Sequence, residues 1–140
     1  MRGNSTPLKC FLMTAANGVM RRCHGMASKG TPGIRDPRTG HHHGGVSLVW
    51  NPIKFECTSF RVIEPGRIVR AEMLSYDDGT SLSIIGVYMP NRNDPAAAHS
   101  WELLGTAAAT ADLIVGDMNK NTRDVSDFME DFNLTKVSGE

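Results

Sequence analysis

From Val46 onward the apolar residues of this chain fall at strand spacing, then helix spacing, then strand spacing again. Val46-Ser47-Leu48-Val49-Trp50 reads as a strand, stopped by Asn51-Pro52. Lys54 to Phe60 alternates more weakly and predicts a second strand. After the turn residues Glu64-Pro65-Gly66, the stretch Arg67 to Tyr76 sets Ile68, Arg70, Glu72 and Leu74 against Val69, Ala71, Met73 and Ser75, with the second set the more buried. Asp78-Gly79 then predicts a type I′ hairpin turn, which needs positive φ at both central residues. The partner strand, Ser81 to Met89, ends at Pro90, whose ring forbids further pairing.

The period then changes. Asp94 as N-cap and Pro95 at the first helical position predict a helix over Ala96 to Thr110, with Trp101, Leu104 and Ala108 on one face and Gly105 weakening it. Leu113-Ile114-Val115 is a short buried-strand signature ended by Gly116. A last amphipathic helix runs from Asp124 to Phe132 through Val125, Phe128 and Met129. Strand, strand, hairpin, helix, strand, helix is an α/β or α+β layered domain.

The chain before Gly44 looks different. One short element is expected between Leu8 and Met20, interrupted by Asn17-Gly18. Cys23 to Gly45 holds six glycines, two prolines and four histidines without periodicity, and reads as loop or disorder. The expected division is therefore a basic, Gly/His-rich, poorly ordered segment over 1–43 and a folded domain over 44–140. Gly30-Thr31-Pro32-Gly33 lacks the Gly-Lys-Ser/Thr ending of a phosphate-cradling loop. His41-His42-His43 invites opportunistic metal binding, but adjacent residues do not readily share one tetrahedral site.

Composition adds three constraints. No apolar run approaches the roughly 20 residues of a membrane span. Three cysteines, Cys10, Cys23 and Cys57, with no C-x-x-C pair argue against a disulfide framework or structural zinc site. They fit a reducing intracellular compartment, the nucleus included. The formal charge of +0 hides an asymmetry: residues 1–45 carry seven basic side chains against Asp36 alone, a surplus of six that the rest of the chain cancels. A basic arm on an acidic body suits nucleic acid or another anionic surface, or is simply a solvated segment. The first 35 residues contain no acid and also share the composition of an organelle transit peptide.

Candidate chemistry clusters at the end of the short strand. Asp117 and Asn119, two residues apart after Val115-Gly116, supply a group to accept a proton or hold a cation and an amide to donate to an anionic oxygen. Sheets of this class place polar chemistry at the carboxyl ends of buried strands. The alternative is an Asx turn leaving a strand.

Gly44-Gly45-Val46-Ser47-Leu48-Val49-Trp50, Gly66-Arg67, Ile84-Ile85-Gly86-Val87-Tyr88-Met89-Pro90-Asn91 and Gly116-Asp117-Met118-Asn119 occur in this order and spacing. Together they resemble the endonuclease/exonuclease/phosphatase (DNase I-like) superfamily, with the look closest to LINE-type retrotransposon endonuclease domains, the partners of reverse transcriptases. The resemblance covers roughly Gly44 to Leu134. It implies a partial two-sheet α/β sandwich with outer helices, a Mg²⁺-dependent hydrolase acting on phosphodiesters or phosphomonoesters, and DNA as a partner. Asp117 then matches the aspartate that positions or deprotonates the attacking water. Asn119 matches the asparagine on the phosphate, Tyr88 the tyrosine that reaches the scissile phosphate, and Asn91 a substrate-binding residue. Read without the resemblance, Tyr88 is a core-edge aromatic and Asn91 a turn residue.

The resemblance also marks departures. Before Gly45 there is no glutamate to match the family's metal ligand, and Ala15-Ala16-Asn17-Gly18 only faintly echoes its opening motif. The closing Ser-Asp-His is absent, since all five histidines precede Gly116. Metal ligands are therefore unassigned, and the expectation is a truncated nuclease-like domain, weak or inactive alone. The other readings are a catalytically dead remnant binding nucleic acid through its basic arm and a lipid- or inositol-phosphate hydrolase of the same fold.

Overall fold

The computed structural model describes residues 12–14, 25–91, 93–119 and 122–131. The central element is a four-stranded sheet in the order β6-β7-β8-β9, formed by Phe55–Glu64, Ile68–Ser75, Ser81–Tyr88 and Leu113–Asp117. The first three strands are antiparallel, whereas β9 runs parallel to β8 after a crossover through the helix α1, Ala97–Ala108. A smaller sheet packs on one face, with β5 (Val46–Trp50) between β1 (Leu12–Thr14) and β2 (Ala27–Thr31), all antiparallel. The helices α1 and α2 (Thr122–Asp131) cover the other face.

Strand alternation sorts side chains into two cores. Val69, Ala71, Met73 and Ile84 meet Val46, Leu48, Trp50 and Phe55 between the sheets. Ile68, Ile85, Val87 and Met89 meet Leu104, Ala107, Ala108 and Phe128 of the helices. The face of β7 expected to be the more buried is fully buried. Trp101 and Phe128 join the helices edge to face, with ring centroids 4.9 Å apart. Arg70, on the helix side, is buried and caps the end of α1. Its guanidinium donates to Thr110 O at 2.8 Å, Thr110 Oγ1 at 2.7 Å and Ala107 O at 3.3 Å, and pairs with Glu72 at 2.9 Å. A cation here completes carbonyls that a helix end leaves open.

Several expectations need correction. The stretch Cys23 to Gly45, read as loop or disorder, contains β2 and a hairpin of two short strands, β3 (Ile34–Arg35) and β4 (His42–His43). The Asp78-Gly79 turn is not type I′. Only Gly79 has positive φ, and a four-residue loop is closed by Ser75 N donating to Thr80 O and Gly79 N to Ser75 O. Gly116 does not end its strand, because β9 stays paired with β8 through Asp117. α1 starts later than expected: Asp94 accepts from Ala96 N at 2.8 Å in an Asx turn, so Ala96 takes the cap position itself. β6 runs on to Glu64, with two register irregularities. Ala15 to Gly18 and Phe132 lie outside the described residues.

Candidate active site

Parallel pairing brings the carboxyl ends of β8 and β9 to one end of the sandwich, with Tyr88 opposite Asp117 in register. Tyr88 packs against the inter-sheet core together with Leu113 and Val115. Alternation along β9 sends Asp117 the same way. The two side chains therefore lie on the same face of the sheet, at its end beside the gap between the sheets. Gly86, two residues before Tyr88, keeps that gap narrow, since a Cβ there would lie 3.1 Å from Leu48 Cδ2.

Beyond the last register pair, the two exits are tied together. Met89 N donates to Asp117 O at 2.9 Å. Asn119 adopts positive φ (52°), so its backbone N–H donates to Asp117 Oδ1 at 2.9 Å and its side-chain Nδ2 to Met89 O at 2.9 Å. The Asx turn and the amide-bearing site are thus one object. One carboxylate oxygen orients the loop, and because Asp117 is exposed its other oxygen is left for a water, a substrate proton or a cation. The remaining amide N–H and the exposed backbone of the loop lie beside it. Asn91 is exposed in the turn before α1, with its side chain accepting from Asn93 N at 3.1 Å, and among the described hydrogen bonds none joins it to Asp117, Asn119 or Tyr88.

Arg67 is the residue that sequence reasoning passed over, although Gly66-Arg67 was visible as a motif. Its carbonyl accepts from Tyr88 N at 2.8 Å, its guanidinium reaches Tyr88 O at 3.5 Å, and Asp94 lies 3.9 Å away. The cation is only 18% exposed and fixes the end of β8 against the turn before β7. Gly44-Gly45 makes this approach feasible. Gly45 N donates to Gly66 O at 2.8 Å, and a Cβ on Gly44 (φ +80°) would stand 2.5 Å from that oxygen. Thr31 Oγ1, buried, accepts from Gly66 N at 2.9 Å and locks β2 to the same turn.

A resident divalent cation does not fit the described donors. The carboxylates at this end of the main sheet are Asp117 and, at the end of β6, Glu64, whose Oε1 is buried without a hydrogen-bond partner, while Asp94 faces Arg67. Asp117 is already engaged in an Asx turn and Glu64 lies on the opposite edge strand, so the two are a poor cage for an ion that demands near-octahedral oxygen coordination. Among the described residues, no three His, Cys, Asp or Glu side chains are grouped for a metal. His42 and His43 are exposed on β4, and His43 Nε2 stands 3.9 Å from Asp36. No described helix is long and apolar enough to cross a membrane.

No protein-family profile and no curated protein sequence matches the chain. Solved structures do match its backbone. D. rerio TDP2 complexed with a single-strand DNA product superposes with a TM-score of 0.59 at 11% identity, over 84% of this chain and 50% of that one. A mannosyl-6-phosphatase from Bacteroides thetaiotaomicron gives 0.53 at 14% identity, over 71% and 45%. An endonuclease/exonuclease/phosphatase family protein from the same organism gives 0.50 at 16% identity, over 71% and 43%. The chain thus spans about half the length of the structures it matches. Its α+β sandwich is part of a DNase I-like fold, the architecture of the endonuclease/exonuclease/phosphatase proteins.

Proposed function

We propose that this chain is part of a phosphodiester-cleaving hydrolase of DNA endonuclease type, derived from a retroelement, and weak or inactive by itself. The register pairing of Tyr88 with Asp117, joined by Asn119, supports this reading most directly. In-line attack on a phosphodiester needs a water held beside the phosphorus, a group to orient or deprotonate it, and donors for the equatorial oxygens. Asp117 takes the second role, orienting or deprotonating the water. The Asn119 amide and the Tyr88 hydroxyl contact the phosphate, and Asn91 holds the flanking substrate. Mg²⁺ dependence belongs to the same proposal on the strength of the fold alone, and none of the residue roles given above passes through the ion. Because the parts of such a site act as a unit, a partial set retains little of the rate.

The test is Mg²⁺-dependent nicking of supercoiled plasmid and hydrolysis of bis(p-nitrophenyl) phosphate, each beside Asp117→Ala and an EDTA control. Weak turnover abolished by the substitution supports the reading. Turnover unchanged in Asp117→Ala overturns the assignment. A folded protein inert on both substrates leaves the second reading, a non-catalytic nucleic-acid binder. The basic surplus of residues 1–45 favours that reading.

A further inference from the structure

We infer that the β3–β4 hairpin is a clamp for the DNA backbone, presenting Arg35 and Arg38 to phosphates that flank the Tyr88–Asp117 site. The inference rests on the reading of that site as a phosphodiester site. Its position comes first. Ile34 at the hairpin base lies against Gly66, where a Cβ would meet Ile34 Cγ1 at 3.1 Å. The other base residue, Gly44, abuts the Gly66 carbonyl. The next residue, Arg67, is bonded through its backbone to Tyr88. Two short steps therefore connect the hairpin to the strand end that carries the candidate chemistry.

The hairpin is also pre-formed and cationic. Asp36 N donates to His41 O at 2.7 Å and Gly40 N to Asp36 O at 2.8 Å, so the loop is closed by its own backbone. Its one acid is occupied, because Asp36 accepts from Arg38 N at 2.8 Å and lies 3.9 Å from both Arg38 and His43. Arg38 projects outward with its side chain 88% exposed, and Arg35 lies exposed along the loop at Gly40. Arg35 and Arg38 thus give the hairpin exposed guanidinium groups, Arg35 pairs in register with the exposed His42, and the one acid of the hairpin is already engaged. A rigid donor surface loses little entropy on binding. Guanidinium groups suit phosphate by their planar fork. The partner is DNA rather than free phosphate, since two exposed guanidinium groups on one hairpin suit a polyanion that offers successive phosphates.

The experiment measures affinity of the full chain for a labelled DNA oligonucleotide across a salt series by fluorescence anisotropy. Arg35→Ala/Arg38→Ala is compared with Lys54→Ala/Arg61→Ala, which removes equal charge from β6 and its approach, Lys54 at the end remote from Gly66. Each phosphate contact contributes about 0.9 to the slope of log K against log salt. The hairpin variant is therefore expected to lower the slope by roughly 1.8 and affinity by on the order of ten-fold or more at 0.1 M salt, while the control variant changes little. Equal losses in both variants, no loss in the hairpin variant, or no DNA binding by the unaltered chain overturns the clamp. Hydrolysis of bis(p-nitrophenyl) phosphate separates the two ideas: it needs no hairpin, so its loss in Asp117→Ala keeps the site reading even when the clamp fails. Circular dichroism of the variants verifies that they fold.

Discussion

Asn119 donates its side-chain amide to the carbonyl of Met89 at 2.9 Å, so the exit of β9 is bonded to the exit of β8. That bond holds Asp117 and Tyr88 on one rim, and it depends on Asn119 lying in the left-handed region at φ 52°. Asparagine tolerates this conformation better than other non-glycine residues. Asn119→Ala loses both the bond and the tolerance and is expected to destabilise by roughly 1–3 kcal/mol. Asn119→Gly relieves the backbone and loses only the bond, costing about 1 kcal/mol. Urea denaturation of the two variants gives the order, and a glycine variant less stable than the alanine variant contradicts the assignment.

Gly44 imposes a sharper requirement. Its φ is +80° and a Cβ would lie 2.5 Å from Gly66 O, an atom that accepts from Gly45 N. Gly44→Ala forces these backbones apart at the turn that carries Arg67. A loss of roughly 2 kcal/mol or more is expected, from left-handed strain combined with a broken buried hydrogen bond. Thermal melts test this, and an unchanged midpoint is inconsistent with the close approach.

Much of this architecture is legible in the sequence, and the failures have physical causes. Val69, Ala71 and Met73 alternate with partly polar neighbours, so the period announces both strand and face. β2 is hidden because its residues are mostly exposed and include Gly30. It is held by its ladder to β5 and by Thr31 rather than by a buried stripe. The end of β9 is missed because Gly116 signals a stop locally, whereas register with Val87 keeps it extended. Asp117 and Asn119 stand out because their types and spacing are chemical. Arg67 does not, since an arginine after a turn glycine looks like surface until Tyr88 and Asp94 surround it.

Acid should loosen the link between the sheet and α1 through Glu72. Burial pushes its carboxyl up, but hydrogen bonds from Ser83 and Arg70 and the charges of Arg70 and Arg61 outweigh that and hold it below its usual 4.5. A folded-state value below the unfolded one means that the stabilisation is fully present above about pH 4.5 and is lost as pH falls through the lower folded value. Melting temperature is therefore expected to drop in acid, and Glu72→Gln to flatten that part of the profile. Identical acid limbs in the two proteins exclude a contribution from this carboxylate.

Arg70 is the more consequential half of that pair. Its guanidinium is buried and satisfies Glu72, Thr110 and Ala107 together. Arg70→Met leaves Glu72 without its cation and the end of α1 without its donor. A loss of about 1.5–3 kcal/mol is expected for these charge-assisted bonds, since the Glu72 side chain is 32% exposed and partly screened by water. Arg70→Met/Glu72→Leu removes both charges and is expected to recover a large part of that loss. A double-mutant cycle by denaturant unfolding measures the recovery, and its absence assigns the cost to the α1 carbonyls instead.

Among the described residues the main sheet ends in β6 and β9, and these two edges differ in how they are protected. β6 carries Glu56, Arg61 and Glu64 and two irregularities of register, all features that discourage further strand pairing. β9 offers Leu113-Ile114-Val115 without charge or bulge. These three residues remain half-buried, where Ile84, Ile85 and Val87 of the neighbouring parallel strand are buried completely. Parallel sheets ordinarily bury both faces, so this edge is the place for chains to associate. Light scattering at raised concentration and temperature is expected to increase with time for the unaltered chain. Val115→Lys puts a charge on the edge and is expected to suppress that increase even while lowering the melting temperature. Scattering that follows only the loss of stability, rising in Val115→Lys as it melts earlier, places the sticky surface elsewhere.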